Sequence, residues 1–84
     1  MNSRHRKTLE AVFAEPARSN IAWVDVEALL VAAGCYVKEG SGSRVKFEYG
    51  ILTWSAHRPH PGKEAIRYQI REAKEFLERI GILP

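Results

Sequence analysis

Four residues near the middle of the chain have types and spacing suited to phosphate chemistry. Arg44 and Lys46 alternate with Val45 and Phe47, and Ser55 and His57 alternate with Trp54 and Ala56. Strand side chains point to opposite faces in turn. If both runs are strands, two cations, a hydroxyl and an imidazole share one face. Arginine grips an anion through a planar fork, and lysine acts as a point charge. The imidazole titrates near neutral pH and can take or give a proton. Such a set can hold a phosphodiester and move the protons that its cleavage requires. His57 is the candidate base. His60, in the same Pro-rich stretch, is the candidate second acid or base. Ser43 and Ser55 are further hydrogen-bonding groups. A solvated charged face that resists aggregation is the plainer reading of Arg44 and Lys46.

The elements that must position these residues are legible in the pattern. Val45, Phe47, Leu52 and Trp54 recur with period two around Tyr49-Gly50, which reads as a hairpin with those two residues as its loop. That register sets Arg44 against Ser55, Lys46 against Thr53 and His57 against Gly42. Cys35 to Glu39 reads as a further short strand, with Tyr36 and Lys38 on the polar face. Tyr36 is the aromatic residue expected there, able to stack on a base or to cover the stems of Lys38 and Arg44. Phe47, Trp54 and Trp23 read as core, and Cys35 as a small buried residue.

Helices flank the strands. Ser3 to about Phe13 reads as a short helix capped by Ser3, with an apolar edge of Leu9, Val12 and Phe13. Its first turn carries Arg4, His5, Arg6 and Lys7, cations that oppose the helix dipole. Pro16 stops it. A second helix runs from about Trp23 to Ala33, with Val26, Leu29, Leu30 and Ala33 on one face and Gly34 at its end. The loop from His57 to Gly62 holds two prolines and a glycine. A last helix is expected from Gly62 or Lys63 to Arg79 or Ile80, its stripe formed by Ile66, Ile70, Ala73, Phe76, Leu77 and Ile80. Arg58, Lys63 and Arg67 then lie near its N-terminus, where phosphates are favoured. The expected architecture is α+β: a three-stranded antiparallel meander covered on one face by helices, with the other face open.

Composition bounds the function. Eighty-four residues make one small domain, and a net charge of +3 leans towards a polyanionic partner. A single cysteine excludes an internal disulfide, and with three histidines it forms no recognisable zinc pattern. Neither a metal nor a cofactor is expected. No signal peptide or membrane-length apolar run is present, so a cytoplasmic protein without membrane contact is expected.

Three stretches together resemble the HicA toxins, the small mRNA interferases of HicAB toxin–antitoxin pairs. Val26-Glu27-Ala28-Leu29-Leu30-Val31-Ala32-Ala33-Gly34 is similar to the family's opening helix and its glycine. Gly42-Ser43-Arg44-Val45-Lys46-Phe47 resembles the Gly-Ser-His-x-x-aromatic signature. His57, followed by the last helix and Ile80-Gly81-Ile82, resembles the strand-end histidine and the closing Ala-Gly-Ile. The likeness covers about residues 21–82, leaving the helix at 3–13 as an addition to a single domain. It implies an α-β-β-β-α fold similar to the double-stranded RNA-binding domain. It also implies an endoribonuclease acting on mRNA and a HicB-like antitoxin that covers the active site. RNA contacts are then expected at Lys38, Arg44, Lys46, Ser55, Arg58, Lys63 and Arg67, and catalysis at His57, His60 and Arg44. The sequence departs from the family where its catalytic histidine belongs. That position is Arg44, which stays protonated and cannot act as a base. The alternative is a module that binds RNA or the antitoxin and has lost catalysis. A third possibility is a protein-interaction domain whose open face docks an acidic partner.

Overall fold

A computed structural model describes all residues from Met1 to Pro84. The elements follow in the order α1 (Ser3–Phe13), α2 (Trp23–Ala32), β1 (Tyr36–Glu39), β2 (Arg44–Tyr49), β3 (Leu52–His57) and α3 (Arg67–Arg79). The strands form one antiparallel sheet in the order β1-β2-β3. This is the expected α+β class, and it fits the description of a double-stranded-RNA-binding-domain-like fold.

Period-two patterning sets the two sheet faces. Val45, Phe47 and Trp54 are buried, while Arg44, Lys46, Thr53, Ser55 and His57 are exposed. Phe47 and Trp54 stack with ring centroids 5.4 Å apart. Trp23 of α2 and Phe76 of α3 meet Trp54 at 5.9 and 6.4 Å. These four rings join the sheet to both helices at distances typical of favourable aromatic pairs. The Trp54 indole N–H donates to Glu72 at 2.9 Å, so the buried ring keeps a polar partner. Helix α1 packs against α2 and α3 through its buried Thr8, Leu9 and Val12.

The hairpin register differs from the expected one. Tyr49 pairs with Leu52, Phe47 with Trp54, Lys46 with Ser55 and Arg44 with His57. The loop is therefore Gly50-Ile51. Gly50 takes φ +61°, a conformation that favours glycine, and Ile51 at the tip is 97% exposed. Glycine at the first loop position suits a type II′ turn, whose twist matches the strands. The slip is two residues, so each side chain keeps its face and only its partner changes.

Two helix starts also differ. The cap of α1 is Asn2, whose side chain accepts from the His5 N–H at 2.9 Å, not Ser3. Within the basic first turn, Arg4 pairs with Asp25 of α2 at 2.5 Å. Helix α3 begins at Arg67, later than its apolar stripe suggests. The preceding segment is extended and tied to the start of α2. Trp23 N–H donates to the Lys63 carbonyl at 2.9 Å, and Ala65 N–H to that of Ile21 at 2.8 Å. Those bonds occupy backbone that the helix would otherwise use.

Candidate functional site

The open sheet face is arranged in rows by the observed register. Tyr36, Glu48 and Thr53 form the first row across the three strands, and Lys38, Lys46 and Ser55 the second. In the third, Arg44 stands directly opposite His57. Lys38, Glu39, Arg44, Lys46, Ser55 and His57 line a shallow concavity of about 540 Å³. Lys38 and Lys46 are cross-strand partners, and like charges placed opposite one another cost stability. Lys38 is relieved by Glu48, 3.4 Å away. Arg44 and Lys46 have no carboxylate partner.

The turn before β2 delivers Arg44 to the face. Gly40 N–H donates to the Arg44 carbonyl at 2.9 Å, and Arg44 N–H to that of Ser41 at 3.2 Å. A Cβ at position 40 would lie 2.8 Å from the Arg44 Cβ, so glycine is required for this close approach. Gly40 is thus part of the site's construction.

His57 is held from two sides. Its Nδ1 lies 3.4 Å from the Ser43 hydroxyl, and its backbone carbonyl accepts from Gln69 Nε2 at 2.7 Å. Gln69 is 1% exposed, and its Oε1 accepts from the Ile66 N–H at 2.9 Å. One buried amide therefore caps the start of α3 and anchors the end of β3. Ile66 offers no side-chain acceptor, so only this half of a capping box forms. Arg58 N–H donates to the Ser43 carbonyl at 2.8 Å, closing the same end of the hairpin. The imidazole itself remains on the exposed face.

Arg58, expected as a phosphate ligand, is not a free cation. Its Nε donates to Glu27 at 2.6 Å, and its Nη2 to the same carboxylate at 3.2 Å. Nη1 and Nη2 donate to Glu39 at 2.6 and 2.9 Å. Hydrogen bonds to the two carboxylates hold Arg58 more firmly protonated than usual, and its bond to Glu39 holds that carboxyl below the usual range. Glu27 also accepts from the Trp23 indole N–H. The guanidinium thereby fastens α2, the end of β1 and the segment after β3 together.

The other expected residues are dispersed. His60 is exposed in the segment after β3 and does not line the concavity with His57. Lys63 lies in the extended segment before α3, because that helix starts later. Arg67 lines a separate small cleft of about 150 Å³ with Ala17 to Asn20 and Glu64. The residues brought together are Lys38, Arg44, Lys46, Ser55 and His57. Glu27, Glu39, Gly40 and Gln69 are supports that no pattern of the strands singles out. For Gln69 a signal exists: it is polar at a helix position four residues before Ala73 and seven before Phe76, on the buried side of α3.

The fold and this face define a small α+β module with one open, cationic sheet surface that carries an imidazole. Residues 23–82 match the model of the family described as the HicA toxin of bacterial toxin–antitoxin, and the chain belongs to that family. It is thus a toxin of a toxin–antitoxin pair, which implies an antitoxin partner; α1 precedes the matched region. No curated protein and no solved structure matches the chain. No helix is long and apolar enough to cross a membrane.

Proposed function

We propose that this toxin is an mRNA interferase, an endoribonuclease of the cytoplasm that needs no metal or cofactor and is neutralised by a HicB-like antitoxin covering the open face. The observation that carries the reading is the pairing of His57 with Arg44 on a cationic surface. His57 takes the proton from an RNA 2′-hydroxyl, and the 2′-oxygen attacks the adjacent phosphorus. Arg44 and Lys46 balance the charge that develops on the phosphoryl oxygens. The bond to the 5′-oxygen breaks, and the imidazolium returns its proton to that leaving group. The products are a 2′,3′-cyclic phosphate and a 5′-hydroxyl. Arg44 serves here as an electrostatic catalyst, because it does not release its proton.

The toxin purified away from its antitoxin is expected to cut RNA, leaving cyclic phosphate ends. His57→Ala should lower the rate by about 10²–10⁴, the usual worth of a general base, with the fold intact. Undiminished cleavage by that variant would sink the assignment.

Arg44 also favours a second reading, in which the face binds RNA or the antitoxin without cutting. That reading expects RNA affinity that falls steeply with salt and no product under any condition.

A further inference from the structure

Tyr36 is the aromatic side chain of the open face, and it is 76% exposed. Aromatic rings usually find cover, because their faces are apolar. The stems of Lys38 and Arg44 do not provide it, since that contact would remove most of the ring from water. The one cation over an aromatic ring in the molecule is Lys74 over Phe13, far from this face in the fold. Tyr36 is therefore an uncovered platform on a cationic surface.

Its neighbours give the platform a chemical context. Tyr36 pairs across the sheet with Glu48, and Glu48 with Thr53. The next row holds Lys38, Lys46 and Ser55, and the one after it Arg44 and His57. Successive rows are two residues apart along a strand, about 6.7 Å. That step is comparable to the spacing of successive phosphates along a single nucleic-acid strand. A ring, a phosphate-binding row and a second phosphate-binding row thus follow one another at nucleotide intervals.

Building on the assignment of RNA to this face, we infer that Tyr36, Glu48 and Thr53 form a nucleobase subsite for single-stranded RNA. One base stacks on the Tyr36 ring while its backbone runs along Lys38 and Lys46 towards Arg44 and His57. Stacking on a side chain requires a base free of its own helix, so the substrate class is single-stranded. A nucleotide strand supplies both the phosphates that Arg44 and Lys46 attract and a π-face for the ring.

Glu48 sets a preference among the bases. A carboxylate only accepts hydrogen bonds. Its Oε1 lies 3.4 Å from Lys38 Nζ, which leaves accepting capacity on the group. Guanine, adenine and cytosine carry amino groups that donate to it. Uracil has no amino group and offers only its N3–H, flanked by two carbonyl oxygens that the carboxylate repels, so it donates most weakly. Thr53 can donate or accept beside it.

The test uses short 2′-O-methyl RNAs, which lack the attacking hydroxyl, identical in a uridine background except for one central base. Binding is read by fluorescence anisotropy against salt concentration. The wild type should prefer guanine, adenine or cytosine to uracil at the varied position. Tyr36→Ala should bind all of them about tenfold more weakly, within the usual worth of base–aromatic stacking, while Tyr36→Phe binds like the wild type. Glu48→Gln should erase the discrimination against uracil. Lys46→Ala should lower the salt slope by about 1, whereas Tyr36→Ala leaves it unchanged. Wild-type affinity in Tyr36→Ala beside weakened binding in Lys46→Ala overturns the subsite and leaves RNA on the face. No RNA binding by the wild type at low salt overturns both. If Tyr36→Ala loosens only a purified antitoxin, the ring belongs to a protein interface and the subsite falls.

Discussion

Arg44 and Arg58 stand at the same end of the hairpin and are held in opposite ways. Arg58 donates four hydrogen bonds to the carboxylates of Glu27 and Glu39. Arg44 sits one strand away with no carboxylate partner, opposite an imidazole and beside the unpaired Lys46. The charge on Arg58 is consumed in joining three parts of the chain. The charge on Arg44 is left to solvent or to an anion. A guanidinium therefore reveals its role through its partners, and residue type alone does not separate a fastening from a binding group.

The comparison breaks most readily at Arg58. Arg58→Ala leaves the Glu27 and Glu39 carboxylates without their cation. Charged hydrogen bonds are each worth about 1.5–3 kcal/mol, but this guanidinium is part-exposed, so a net loss of about 2 kcal/mol is expected. In a domain of this size that lowers the melting temperature by about 8–16 °C. Arg44→Ala should do the reverse: stability within about 0.5 kcal/mol of wild type, but weaker RNA binding with a salt slope lower by about 1. Thermal melts and binding isotherms of both variants decide the matter. Equal destabilisation by the two would remove the distinction.

Gly40→Ala sharpens the comparison without altering any charge. The new methyl must push against the Arg44 Cβ, so RNA affinity should fall by less than in Arg44→Ala while Arg58 and its carboxylates stay in place. A smaller effect concerns pH. The Glu39 carboxyl is held below its ordinary value of 4.5 by the Arg58 hydrogen bond. Its contribution is complete above that ordinary value and is lost as pH falls through the lowered one. Glu39→Gln should therefore melt lower than wild type near neutrality and converge with it in acid. Melting curves that stay parallel down to the acid limit would show that Glu39 gains nothing from Arg58.

Much of the molecule was legible before its structure. The periodicities of Val45, Phe47, Leu52 and Trp54, and of Val26, Leu29 and Leu30, defined the strands, the second helix and the buried faces. The hairpin register was not legible, because a two-residue slip preserves every face and leaves the pattern unchanged. Which glycine position the turn demanded decided it. The start of α3 at Arg67 is hidden for a related reason. Ile66 continues the helical stripe in sequence, but the backbone before it is bonded to Ile21 and Trp23, forty or more residues away.

The amino-acid sequence by itself determined the class of the fold, the family likeness and the face that carries the cations and His57. These follow from local periods of two and 3.6 residues and from short motifs. Tertiary structure alone decided that His57 stands opposite Arg44, that Gln69 anchors His57, and that Arg58 serves Glu27 and Glu39. Those contacts join groups 12 to 31 residues apart. They depend on turn geometry and helix placement, which no local pattern encodes. The same physics separates Arg44 from Arg58: both are arginines in the sequence, and only the folded chain leaves one of them free.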